Sequence, residues 1–227
     1  MQGSRPFTLD VPFEVYRSPG LDASTRAPLV LALHGMGQDP EILKRDLAPL
    51  LEKPWVWLFP RGPYPMEVRG RTMRIGYAWY MFDGDQPRLR ASMEQTSRHL
   101  LGVLDSVWNA GGIDLSRAAV IGFSQGGYMA GVLGAWNWRR FRGACSISGR
   151  LKHEFMAEAA PQASKRIKLA QAHGALDASV KADAARDAVA QCAKLGFQAE
   201  YFEDTHAGHE ITPRMAQWVG EWLEKSL

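Results

Sequence analysis

The sequence predicts an α/β protein whose mostly parallel central sheet is covered by helices on both faces. Two observations carry that prediction. Short β-rich runs alternate along the chain with longer runs of helical period, the order that builds a parallel sheet. In addition, Leu29-Val30-Leu31-Ala32-Leu33 is apolar at every position rather than every second one, as a strand buried on both faces requires. A chain of 227 residues, 46% of them apolar, can bury one substantial core and is expected to be a single domain over residues 1–227.

In chain order, the expected strands are Phe13 to Arg17, Leu29 to His34, Val56 to Phe59, Ala119 to Phe123, Ala144 to Ser148, Ile167 to Ala172 and Ala199 to Glu203. The apolar run puts the second of these at the centre. The expected helices are Pro40 to Glu52, Ser92 to Ala110, Gly127 to Trp138, Ala178 to Leu195 and Pro213 to Lys225. In the second helix Met93, Thr96, Leu100, Leu101, Leu104 and Trp108 recur at steps of three and four, and Gly111-Gly112 stops it. The fourth carries Val180, Ala184, Ala188, Cys192 and Leu195 and ends at Gly196, which suits the left-handed region. The last opens with Thr212 as N-cap and Pro213 at its first position. Arg61 to Arg90, rich in Gly, Pro, Arg and aromatics, and the Ala-rich stretch Gly149 to Lys165 fit neither pattern and read as irregular connections.

The net charge of +3 is too mild, and its acids and bases too interspersed, to argue for a nucleic-acid partner. The first residues contain no apolar leader core, and no run approaches the roughly 18 apolar residues of a membrane span, so a cytoplasmic protein with no membrane span is expected. Cys145 and Cys192 read as small core residues rather than a disulfide. Trp136 and Trp138 are read as core, with a homodimer face as the alternative.

The segment richest in chemistry runs Ala119-Val120-Ile121-Gly122-Phe123-Ser124-Gln125-Gly126-Gly127 and on into a helix. A buried strand, Gly-x-Ser-x-Gly and a helix are the parts of a nucleophile elbow, in which the serine sits on a sharp turn and the glycines leave room where a Cβ would clash. The Gln125 N–H then lies at a helix N-terminus, where an unpaired donor and the helix dipole can hold an oxyanion. Ser146 and Ser148 lack these neighbours and read as strand-end residues. A serine hydroxyl needs a base, which in such a fold follows an acid along the chain. Asp177, at the end of His173-Gly174-Ala175-Leu176-Asp177, is the acid candidate; its alternative is a plain helix cap. His206 and His209 are the base candidates, and Gly208 favours His209.

These residues, with Leu33-His34-Gly35-Met36-Gly37, Phe59-Pro60-Arg61-Gly62-Pro63, Ala78-Trp79-Tyr80 and Gly208-His209-Glu210, resemble the phospholipase and carboxylesterase family of α/β-hydrolases along nearly the whole chain. The resemblance implies an α/β-hydrolase fold with an eight-stranded type of sheet, a Ser124, Asp177 and His209 triad, the Met36 N–H as second oxyanion donor, and neither metal nor organic cofactor. His34 would hold the Met36 loop. Three departures stand out: Gln38 where an Asp commonly follows, Tyr80-Met81-Phe82 after the Trp, and Ala178-Ser179-Val180 without the frequent proline. The chain leaves no room for a large cap domain.

The expected activity is that of a carboxylesterase acting on a small-molecule ester. A thioester or lysophospholipid is the alternative substrate, and a non-catalytic binding protein of the same fold is the alternative from another class. Trp79, Met73, Tyr77 and Arg74, from the aromatic and Arg-rich segment, are the candidate substrate-binding residues.

Overall fold

In a computed structural model that describes residues 9–22, 24–70, 72–107 and 112–227, the strands in chain order are β1 (Phe13–Arg17), β2 (Ala27–Leu33), β3 (Val56–Pro60), β4 (Tyr64–Val68), β5 (Arg74–Ala78), β6 (Ile113–Phe123), β7 (Gly143–Ile147), β8 (Lys168–Gly174) and β9 (Gln198–Asp204). The helices are α1 (Pro40–Asp46), α2 (Gln86–Val107), α3 (Gln125–Trp136), α4 (His153–Met156), α5 (Ala160–Ala163), α6 (Ala182–Lys194) and α7 (Pro213–Ser226). Seven strands form one sheet in the order β1-β3-β2-β6-β7-β8-β9, while β4 and β5 make a separate hairpin. Every pairing in the large sheet is parallel except that of β1 with β3.

All seven residues of β2 are buried, and its alternation divides them between two cores. Leu29, Leu31 and Leu33 pack with residues of α2, α3 and α6, and Val30 and Ala32 with residues of α1 and α7. The chain lays β3 on one side of β2, crosses to the other side as β6, and continues outward through β9. The crevice beyond the C-terminal ends of β2 and β6, where the winding reverses, is where open α/β sheets take ligands.

Several boundaries differ from the sequence expectation, each for a local reason. The large sheet has seven strands among the described residues, not the eight that the resemblance implied. The segment 61–90 is not irregular: it holds the β4–β5 hairpin and the start of α2, which Asp85 caps by accepting from the Arg88 N–H at 2.7 Å. The stretch 149–165 folds into the short helices α4 and α5. Helix α1 stops at Asp46 and a single 3-10 turn over Ala48–Leu50 follows, because Pro49 has no N–H to continue it. Helix α6 starts at Ala182 rather than Ala178, since Asp177 ties the Ser179 and Val180 N–H groups, both at 2.8 Å, into a loop ahead of it. Trp108 and Gly111, expected to end α2, lie outside the described residues.

Cys145 and Cys192 are both buried and unbridged. Trp136 and Trp138 are half-buried and pack on the core, and the Trp136 indole donates to the Phe155 carbonyl at 2.8 Å. Among the described residues, no helix is long and apolar enough to cross a membrane, and no large cap covers the sheet.

Candidate active site

Ser124 follows directly on β6 and precedes α3. Its φ of 51° and ψ of −116° are unfavourable for a residue with a Cβ, and the surrounding contacts hold it there. The Ser124 N–H donates to the Ile147 carbonyl at 2.8 Å. On either side the backbone passes too close for a side chain: a Cβ on Gly122 would lie 2.2 Å from the Gly126 carbonyl oxygen, and one on Gly126 would lie 2.2 Å from that of Leu33. The two glycines of Gly-x-Ser-x-Gly are thus required by strand-to-helix contact.

His209 and Asp177 arrive on the loops after β9 and β8. His209 Nδ1 lies 2.7 Å from Asp177 Oδ2, and His209 Nε2 lies 2.9 Å from Ser124 Oγ. A tautomer with Nδ1–H donating to the carboxylate leaves Nε2 free to accept the serine proton. The imidazole is fixed from the side by Phe123, whose ring centroid is 5.1 Å away. Burial alone would raise the pKa of Asp177, but hydrogen bonds from Val180, His209 and Ser179 outweigh it and hold the carboxyl below its usual range. His206 is exposed, and its backbone N–H donates to Asp204 Oδ1 at 3.2 Å.

The tight approach expected at Gly208 falls elsewhere. A Cβ on Gly208 would meet nothing nearer than Glu210 at 4.0 Å, whereas one on Gly174 would lie 2.3 Å from the Gly208 carbonyl oxygen. The loop bearing His209 is held by groups that the sequence did not disclose. Asp204 Oδ2 accepts from the Thr212 hydroxyl at 2.8 Å, and the Ser148 hydroxyl donates to the Glu210 carbonyl at 2.9 Å. Ser148, itself at φ 49°, is therefore a brace rather than a rival nucleophile.

The loop after β2 brings Met36 to the same place. The Gly35 N–H donates to Gln38 Oε1 at 2.9 Å, the Gly37 N–H to the Tyr77 carbonyl at 2.8 Å, and the Tyr77 N–H to the Gln38 carbonyl at 3.0 Å. Gly76 permits that contact, since a Cβ there would lie 2.1 Å from the Gly37 carbonyl oxygen. Beneath the loop, His34 Nε2 accepts from the Gly62 N–H at 3.0 Å while Nδ1 lies 2.8 Å from the Gly35 carbonyl. Burial pushes the His34 pKa down to about 4, so the ring is neutral. Among the described residues, no hydrogen bond engages the Met36 N–H, and Gln125 opens α3, where an N–H has no helical carbonyl to bond. The Gln125 side chain accepts from the Trp79 N–H at 2.8 Å and donates to the Tyr80 carbonyl at 2.9 Å, tying the end of the hairpin to α3.

A cavity of about 390 Å³ opens over these groups, lined by Gly35, Met36, Gln38, Phe123, Ser124 and His209 among others. Trp79, expected at the substrate, is fully buried instead, its indole donating to the His34 carbonyl at 2.7 Å. Met73, Tyr77 and Arg74 sit on the hairpin, outside the lining of that cavity. Met73 and Arg74 are exposed, and Tyr77 is held under the Arg61 guanidinium at 4.4 Å. Among the described residues, no cluster of three His, Cys, Asp or Glu is arranged to hold a metal ion.

Residues 21–227 match the family model described as phospholipase/carboxylesterase. A probable carboxylesterase of Oryza sativa subsp. japonica is 24% identical over 220 residues, which are 92% of each chain. Among solved structures, esterase PE8 superimposes with a TM-score of 0.75 at 23% identity, covering 96% of this chain and all of that one (100%). The acyl-protein thioesterase 2 of Zea mays gives 0.72 at 21% identity, covering 95% and 98%. At such identities the structural likeness bears on the fold.

Proposed function

This chain belongs to the phospholipase/carboxylesterase family and is a hydrolase of the carboxylesterase type; from that premise we propose that it cleaves carboxylic esters through an acyl-enzyme on Ser124. The observation that carries the reading is the unbroken chain of contacts from Asp177 through His209 to Ser124, 2.7 and 2.9 Å long. In the proposed reaction, His209 Nε2 takes the Ser124 proton as Oγ attacks the carbonyl carbon. The charge on the carbonyl oxygen is met by the N–H groups of Met36 and Gln125, each such donor contributing on the order of 3 kcal/mol. His209 then passes its proton to the leaving oxygen, and a water activated by the same ring releases the acid. Asp177 keeps the tautomer and balances the imidazolium.

Trp79 becomes a positioning residue under this reading, because its indole N–H bonds the His34 carbonyl ahead of Met36 and its backbone N–H bonds the Gln125 side chain at the start of α3. Met73, Tyr77 and Arg74 remain proposed substrate contacts on the hairpin wall beside the Met36 loop, and the whole is proposed to act as one cytoplasmic catalytic domain. Thioesters are the second reading, favoured by an uncapped cavity that leaves a bulky leaving group room.

A fluorophosphonate probe should label the wild-type chain at Ser124, and Ser124→Ala should lose labelling together with p-nitrophenyl ester hydrolysis. Hydrolysis by Ser124→Ala at the wild-type rate would overturn the assignment. Across a series of acyl chains from acetyl to decanoyl, a rate that changes with length is expected if the hairpin wall takes the acyl group; a flat profile removes that role.

A further inference from the structure

A second cleft, of about 380 Å³, opens at the other edge of the sheet and is lined by Arg139, Arg140, Arg142 and Arg166 with Ser116, Trp138 and Phe141. The first three arginines lie between α3 and β7, and Arg166 lies just ahead of β8. Arg139, Arg142 and Arg166 are exposed, and none of the three has a carboxylate partner among the described residues, whereas Arg140 pairs with Asp105. The nearby acid is engaged: Asp114 takes the Ser116 hydroxyl at 2.6 Å and Arg117 at 2.8 Å.

The guanidiniums are also arranged. That of Arg139 lies 4.2 Å from the Trp138 ring centroid and that of Arg166 lies 5.9 Å from it, so one indole orders two cations. Arg142 donates through Nε to the Ser116 carbonyl at 2.8 Å, which spends its inner nitrogen and presents its outer ones. Like charges converging on a concave surface focus a positive potential and repel one another until an anion enters. Guanidinium forks match phosphate oxygens in pairs.

We propose that this cleft binds a compact anion bearing a diphosphate group. Two joined phosphates carry about three negative charges near neutral pH, which balances the three guanidiniums that lack a carboxylate. The concavity suits a small molecule better than a flat membrane surface. The site is separate from Ser124: it lies at the N-terminal ends of β6, β7 and β8, while Ser124 lies at the C-terminal end of β6. A five-residue strand such as β7 sets those edges roughly 16 Å apart. Binding should therefore stabilise the fold without competing with an ester.

The test is calorimetric titration and thermal unfolding of the full chain with sodium pyrophosphate, with ADP and with citrate, all at one ionic strength fixed by NaCl. Pyrophosphate should bind and raise Tm above the NaCl control, and the double variant Arg139→Gln/Arg166→Gln should bind about tenfold more weakly while hydrolysing esters at the wild-type rate. Tighter binding of ADP supports the proposal with a nucleotide as the source, and equal binding supports it with the diphosphate alone. No binding at millimolar pyrophosphate, citrate binding as tight as pyrophosphate, or unchanged binding by the double variant overturns it. If the double variant loses its folded circular dichroism spectrum, Arg166→Lys, which keeps the charge and removes the fork, carries the same test.

Discussion

Ser124 occupies a conformation that costs on the order of 1–3 kcal/mol for a non-glycine residue. The contacts of Gly122 and Gly126 with backbone carbonyls explain how the turn persists, and they explain why it was legible in the sequence. Gly122, Ser124 and Gly126 lie within five positions of one another, so their pattern survives as a string even though Leu33 and Ile147, which the turn packs against, are remote. The braces were not legible for the opposite reason. Gln38 bonds the Gly35 N–H with a side chain whose chemistry gives no hint of its target, and Ser148 and Glu210 meet across 62 positions of chain. His34 carries a prediction at this scale. With a folded pKa of about 4 against 6.5 for the free side chain, it resists a proton that the unfolded chain accepts. The stability it contributes is fully present above pH 6.5 and is lost as pH falls toward 4, amounting to about 3 kcal/mol by linkage. Urea midpoints measured between pH 7 and pH 4 should fall in the wild type and fall less steeply in His34→Gln; parallel curves would refute the linkage.

At the scale of elements, the β4–β5 hairpin is the part whose role the sequence hid. Its composition of Gly, Pro and Arg resembles a loop, and its strands are too short and too exposed for the alternation to stand out. Yet β5 lines up against the 35–38 loop through an isolated antiparallel bridge between Gln38 and Tyr77, so the placement of the Met36 N–H depends on the hairpin. Gly76→Ala tests this. Its Cβ would displace the Gly37 carbonyl, which is 2.1 Å from the position it would occupy, and a shift of about 1 Å in a reacting group can cost on the order of a hundredfold in rate. We expect kcat for an acetyl ester to drop by more than tenfold with little change in KM, and the reaction of Ser124 with a fluorophosphonate to slow as well. Helix positions were legible to within a turn where the apolar period was long. They were misjudged where a side chain outside the helix set the boundary, as Asp85 does for α2 and Asp177 for the stretch before α6.

For the molecule as a whole, the sheet order was beyond the reach of the sequence, because strands pair with neighbours that are not adjacent in the chain. What could be read was burial: the unbroken apolar run of β2 gave its central position, and the structure sets it between β3 and β6. That arrangement gathers the loops after β2, β6, β8 and β9 at one edge and leaves the arginine cleft at the other. The same layering has a consequence for the two thiols. Cys145 lies inside β7, flanked by β6 and β8, and Cys192 lies on the buried face of α6; burial pushes both pKa values up, that of Cys192 to about 12. Neither is a thiolate within reach of a reagent while the chain is folded. They are therefore internal clocks. Under native conditions a colorimetric disulfide reagent should react with Cys192 at the rate at which α6 lifts, and with Cys145 only at the slower rate at which the sheet itself comes apart.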